Sequence, residues 1–233
     1  MEQTIQQLAN IQRNWGPKMN SPGVSIKLKE NSREKLNGQT SVTYRLFASG
    51  FPKNLSFTIF TTGFDLRPVP AVQGVTLDDS GDAVCSGKPG MCSGDKPGDP
   101  IDIKLVAAKG QPVRLALISS DGQLKAFTGI ILFPITGSDR GCSIEAIRLT
   151  QNAEAVLLEG TGFAPSSDAH IRSSSEGESQ ETVVKADENG GIEQIQLPYV
   201  SGKANGITTV NVTSRKCNPS LSYNWGKDSY QIQ

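Results

Sequence analysis

The chain has one histidine, four cysteines, few aromatics and no excess charge. Each scarcity removes a class of function. A Ser-His-Asp hydrolase would have to use His170, with Asp168 and Ser173, Ser174 and Ser175 as its neighbours. Residues that close on one strand do not converge on one atom, and there is no Gly-x-Ser-x-Gly elbow. Structural zinc asks for closely spaced pairs of Cys or His, and the cysteine spacings fit that poorly. Basic and acidic residues number 23 each, with no basic stripe or acidic tail. Nucleic acid and anionic membrane, which both need clustered Lys and Arg, are therefore not expected partners. No apolar run approaches the roughly 18 residues of a membrane span. The longest, 129–135, is short and contains Pro134. Met1 is followed by Glu2 and Gln3, not by a basic start and an apolar run, so no leader is visible. That fits either a cytosolic chain or one whose leader has been removed.

Cysteine use favours the second. Cys85 and Cys92 share one Gly/Pro/Ser-rich loop, while Cys142 opens the second half of the chain and Cys217 lies near its end. The simplest pairing is Cys85–Cys92 and Cys142–Cys217, one bridge in each half. On the chain-entropy model, closing the longer loop stabilises by roughly 4 kcal/mol. Disulfides imply an oxidising compartment, so the expected location is secreted, periplasmic or cell-surface.

What the chain has in quantity is turn chemistry, with 24 Gly and 13 Pro. Much of it occurs twice. Ala48-Ser49-Gly50-Phe51-Pro52 follows one strand pattern and Gly160-Thr161-Gly162-Phe163-Ala164-Pro165 another. Each leads to an acidic turn, Asp78-Asp79-Ser80-Gly81 or Asp187-Glu188-Asn189-Gly190. A third match sets Gly110 before the apolar run 113–118 against Gly206 before 208–212. Alternation predicts strands over 24–28, 42–46, 56–62, 72–77, 101–105, 113–118 and 124–133. The second series is 144–149, 155–159, 170–173, 181–185, 192–197, 208–213 and 221–232. The expected class is all-β: two tandem sandwiches over 21–135 and 141–233, joined by the polar segment 135–141. Ile5, Leu8 and Ala9 stand at helical spacing ahead of Gly16-Pro17, so 1–20 reads as a short helix or an arm with few contacts.

Glu159-Gly160-Thr161-Gly162-Phe163 resembles the opening of IPT/TIG-type immunoglobulin-like domains, in which a strand ends in a Gly-x-Gly-Phe turn. The first half departs from that pattern, with Ala48 at the first glycine. The strand order is also similar to that of the small neocarzinostatin-like sandwiches of actinobacteria. The resemblance implies an immunoglobulin-like fold used outside the cell for binding or spacing, and transfers no functional residue.

Candidate sites compete with plain structural readings. Asp78, Asp79 and Asp82 could ligate Ca²⁺, but tight-turn chemistry explains them and Asp187-Glu188-Asn189 without a metal. Tyr223 and Trp225 share one face of the last strand, as a sugar platform or as core. Tyr199, beside Pro198, is the better exposed aromatic. The loop from Asp82 to Asp99 occurs in one half only and carries Lys88, Met91, Asp95 and Lys96. Lys88, Met91 and Tyr199 are the expected ligand contacts, and the loop's role stays open between binding and harmless insertion. No cofactor or metal is expected. The expected function is a non-enzymatic, exported bacterial protein that binds a protein or glycan at a surface, or acts as a spacer there. The alternative is a carbohydrate-binding accessory module of a secreted hydrolase.

Overall fold

Strand alternation decides the architecture. A computed structural model describes residues 2–87, 92 and 96–233, and it divides them into two compact units. One comprises 11–107, 113–130 and 233. Here β1 (Ser25–Leu36) pairs antiparallel with β2 (Gln39–Ser49), and β2 pairs with β6 (Asp102–Leu105). A second sheet has the order β5 (Ala83–Cys85), β4 (Pro68–Leu77), β3 (Phe57–Thr62), β7 (Pro112–Ser119), β8 (Lys125–Ile131). Ile26, Leu46 and Ile103 from the first sheet meet Phe57, Ile59, Leu115 and Leu117 from the second in one buried cluster. This follows from strands whose alternate side chains point to one face.

The other unit comprises 1–10, 108–112 and 131–232. One sheet has the order β14 (Ile192–Gln196), β11 (Val156–Thr161), β10 (Cys142–Arg148), β9 (Ile135–Asp139). The second has the order β13 (Glu178–Lys185), β12 (Asp168–Ser175), β15 (Asn205–Thr213), β16 (Ser220–Gly226). Ile144 and Leu158 meet Ile171, Val210, Val212 and Trp225 in the shared core. The two units repeat one order: β1-β2-β6 corresponds to β10-β11-β14, and β4-β3-β7-β8 to β13-β12-β15-β16. The segment 135–141, read from sequence as a linker, contributes β9 instead, with Ile135 opposite Ala146 and Cys142 opposite Asp139. Its polar residues are those of a strand only partly covered.

The doubled turns have one physical cause. Gly50, at φ +78°, lies against the carbonyl of Gly23, and Gly162, at φ +83°, lies against that of Gly141. In both places a side chain would overlap backbone. Gly160 has a second reason: a Cβ there would come within 2.7 Å of Ile192 and 2.9 Å of the Phe163 ring. The third sequence match is not a matched glycine. Gly110 turns at φ +70°, whereas Gly206 lies within β15 opposite Trp225 and needs no positive φ.

The N-terminal segment is more than a loosely held arm. Helix α1 (Glu2–Asn14) sets Ile5, Leu8 and the fully buried Ala9 on Ile147, Leu149, Ala155 and Leu157, a face of β10 and β11 that alternation alone assigns to solvent. Fully burying an Ile or Leu side chain, as at Ile147 and Leu157 on that face, is worth about 1.5–3 kcal/mol. Residues 11–14 of the helix belong to the first unit described. Gln12 Oε1 accepts 3.1 and 2.5 Å hydrogen bonds from Nε and Nη2 of buried Arg114, whose guanidinium is pushed down to about 10 by burial. The Trp15 indole N–H donates to the Thr128 carbonyl at 2.9 Å, and the ring meets Phe127 edge-on at 5.1 Å.

Cys142 and Cys217 are joined, with Cα atoms 6.2 Å apart. The expected Cys85–Cys92 bridge is not formed in the structure. The Cys92 sulfur instead faces the carbonyls of Gln73 and Gly74, at 3.3 and 3.4 Å, and the Cys85 sulfur lies 3.8 Å from the Cys92 carbonyl. The base of that loop is closed by backbone bonds, Cys85 N–H to Asp99 at 3.0 Å and Gly98 N–H to Cys85 at 2.9 Å.

Two substitutions measure these constraints by urea denaturation. Gly162→Ala meets both backbone strain and overlap and is expected to destabilise by about 3 kcal/mol. Gly177→Ala, equally left-handed at φ +89° but in open space, costs only about 1 kcal/mol. Gln12→Ala strands the Arg114 guanidinium without that acceptor and costs about 1–3 kcal/mol. Equal effects at Gly162 and Gly177, or no effect at Gln12, contradict these packing assignments.

Candidate binding sites

The two acidic turns share one geometry. Asp78 Oδ1 accepts from Ser80 N–H at 2.9 Å, Ser80 Oγ at 2.8 Å and Asp82 N–H at 2.9 Å. Asp187 Oδ1 accepts from Asn189 N–H at 2.8 Å and Gly191 N–H at 2.7 Å. In each, the backbone closes through a bond to the residue four positions on, Asp78 N–H to Asp82 and Asp187 N–H to Gly191. One carboxylate oxygen in each turn is thus committed to holding the chain. Asp79 instead forms an exposed 2.6 Å ion pair with Lys53. The Ser80 hydroxyl, followed by the backbone N–H groups of Asp82, Ser80 and Gly81, holds the Asp78 carboxyl below the usual carboxylate range.

The paired aromatics of β16 are core. Trp225 is 1% exposed and donates from its indole N–H to Ser175 Oγ at 2.8 Å. Tyr223 is 5% exposed, and burial pushes its phenol up. Tyr199 is the exposed one, at 52%. It stands with Leu197 and Pro198 beside a recess of about 20 Å³ that also touches Ser173, Ser175 and Gln180. Lys88, Met91 and Asp95 lie outside the described residues. Lys96 is described; its N–H donates to Asp99 Oδ2 at 3.0 Å, in the closing turn of the loop.

Among the described residues His170 is not hydrogen-bonded into a Ser-His-Asp arrangement. It lies on the outer face of β12, two residues from Asp168, and among the described residues it hydrogen-bonds to neither acid nor hydroxyl. Ser175 Oγ is taken by Trp225, and Ser174 Oγ by Ser179 at 3.0 Å. What His170 does border is a cavity of about 810 Å³ at one end of the β13-β12-β15-β16 sheet. Asp168 and His170 come from β12, Lys185 from the end of β13, Thr213 and Arg215 from the end of β15 and beyond, and Pro165 to Ser167 from the turn after Phe163. Cross-strand register sets Asp168 opposite Lys185 and His170 opposite Thr213. The sequence gives no sign of this grouping, because its members come from segments up to 50 residues apart that only sheet pairing brings together.

No family model matches the chain, and no curated protein matches it. Among solved structures it is similar to one described as the "tetra-tandem repeat in extending region of large adhesion protein", at 15% identity and a TM-score of 0.28. The match covers 88% of this chain and 49% of that one, so the chain spans about half the length of that structure. At that score the likeness carries no argument about fold or function.

If the acidic turns are turns and not calcium sites, EDTA leaves the melting temperature unchanged, while Asp78→Ala lowers stability by about 1 kcal/mol. A carboxylate whose folded value lies below its unfolded one stabilises fully above the unfolded value, about 4, and loses that contribution as pH falls through the folded value. The Asp78→Ala deficit is therefore expected at pH 7 and should vanish in strong acid. A chelator-sensitive melting temperature, or a deficit that does not shrink as pH is lowered, contradicts the turn assignment.

Proposed function

We propose that the chain consists of two tandem immunoglobulin-like β-sandwich domains and acts as a non-enzymatic, exported binding or spacer protein at a surface. The observation that carries the reading is the doubled strand order, in which three corresponding strands face four corresponding strands in each unit, with the same glycine contact at the same turn. Paired antiparallel sheets of this size around one core are the architecture of immunoglobulin-like modules, which serve many cell-surface proteins. Fold alone does not fix function. Two features add to it. The Cys142–Cys217 bridge belongs to an oxidising compartment. The charged cavity beside it offers side chains to a ligand. The domain boundaries proposed from sequence, 21–135 and 141–233, are simpler than the two compact units, which place 1–10, 108–112 and 131–232 together, with β9 pairing Ile135 to Asp139 with β10.

A second reading is a carbohydrate-binding accessory module, favoured by the exposure of Tyr199 beside Leu197 and Pro198. Rigid aromatics that present one apolar face and one polar tip suit sugar contact.

The test of export is recovery of the chain from the organism that makes it. It is expected in the medium, the periplasm or the cell surface, with Cys142 and Cys217 unreactive towards a thiol reagent until reduced. Recovery from the cytosol with four reactive thiols contradicts the proposal. Glycan-array binding that Tyr199→Ala abolishes would favour the accessory-module reading.

A further inference from the structure

We infer that the cavity bordered by His170 binds an acidic saccharide, a sugar ring bearing a carboxylate. This rests on the reading of the chain as a binding protein and names its partner's chemistry. At about 810 Å³ the cavity is large enough for one or two sugar rings. Three basic side chains border it, His170, Lys185 and Arg215, and among the described residues none of them has a hydrogen bond or ion pair. Donors left without partners in a concave site suit an anionic ligand, and charge-assisted bonds to it are about twice as strong as neutral ones.

The rest of the lining narrows the ligand. Asp168 stands in register opposite Lys185 and supplies an acceptor. It repels a compact multivalent anion such as phosphate, yet it can accept from a sugar hydroxyl. Thr213, opposite His170, adds a hydroxyl of its own. Pro165 and Ala164 give a small apolar wall for the C–H face of a ring. Asp168 is one negative charge against the two cations Lys185 and Arg215, so a neutral sugar leaves one positive charge unbalanced and a single carboxylate balances it. The carboxylate therefore goes to Lys185 and Arg215, and the ring hydroxyls to Asp168, Thr213 and His170.

The walls are held before any ligand arrives. Ser167 Oγ donates to the Ala164 carbonyl at 2.7 Å, and Ser166 N–H donates to Asp187 at 3.3 Å. The turn that carries Arg215 is closed by Ser214 Oγ donating to Cys217 at 3.0 Å, and Cys217 is bridged to Cys142. Preorganised loops lose less entropy on binding. The disulfide thus serves the site as well as the fold.

The test is titration of the full chain with glucuronic acid, glucose or inorganic phosphate at fixed ionic strength, followed by amide NMR. Glucuronic acid is expected to give saturable shifts confined to the segments around Asp168, Lys185 and Arg215, with glucose and phosphate at least tenfold weaker. Lys185→Gln and Arg215→Gln are each expected to weaken glucuronic acid binding about tenfold, the loss of one charge-assisted hydrogen bond. Both side chains are exposed, so the melting temperature should not move. Tyr199→Ala should leave the affinity unchanged. The inference is overturned by no saturable shift with glucuronic acid, by glucose or phosphate binding as tightly, or by affinity that survives the Lys185→Gln/Arg215→Gln double variant. If glucuronic acid fails while the chain is exported with Cys142 and Cys217 bridged, this inference falls and the broader proposal stands. Cytosolic recovery with reduced cysteines sinks the broader proposal instead.

Discussion

Backbone passes against backbone at one end of each two-layer unit, and the crossing leaves no room for a side chain. Gly162 lies on the carbonyl of Gly141, and Gly190, at φ +76°, on that of Phe163. Their counterparts in the first unit are Gly50 on Gly23 and Gly81 on Ala48. These contacts fix where the first hairpin of each unit ends. They also fix where the acidic turn must close. The aromatic that follows, Phe51 or Phe163, is directed into the core by the same turn. Left-handed backbone is cheap only for glycine, so the constraint is visible as a residue type.

Rigid ends have a functional consequence. In the unit containing β9 to β16, the crossing, the acidic turn and the Cys142–Cys217 bridge all lie at the end of the sheets that carries the Ser166–Asp168 and Ser214–Arg215 turns. Loops are where proteins place variable chemistry on a fixed frame. Here the frame holds Lys185, Arg215, His170 and Asp168 around one cavity without spending any of them on the fold.

Much of this order was legible in the sequence. Alternation at Val42, Tyr44 and Leu46 reports a strand with one buried face, and all three side chains are buried. The repeated Gly-Phe turns reported the duplication because sterics allow little else there. Three things were not legible. The strand β9 is polar because it is only half covered, and half-covered polar residues read as a linker. The burial of α1 depends on Ile147, Leu149 and Leu157, the outward residues of strands apolar on both faces, and alternation cannot say what covers an outward face. The cavity at His170 depends on cross-strand register, which no local pattern contains. Cysteine count supplied the Cys142–Cys217 pairing, but proximity in sequence misled at Cys85 and Cys92, where the chain turns the Cys92 sulfur towards backbone carbonyls.

The central claim is that one chain builds the same two-layer β unit twice. Residue-resolved hydrogen exchange on the intact protein tests it most directly, since the slowest amides mark the innermost strands of each cooperative unit. Two matched sets of slow amides are expected, in β2, β3 and β7 and in β11, β12 and β15, the corresponding strands that have partners on both sides in both units; β4 and β10, also flanked on both sides, add to their own unit only. Slow amides in one of the two matched sets but not in the other would contradict the duplication.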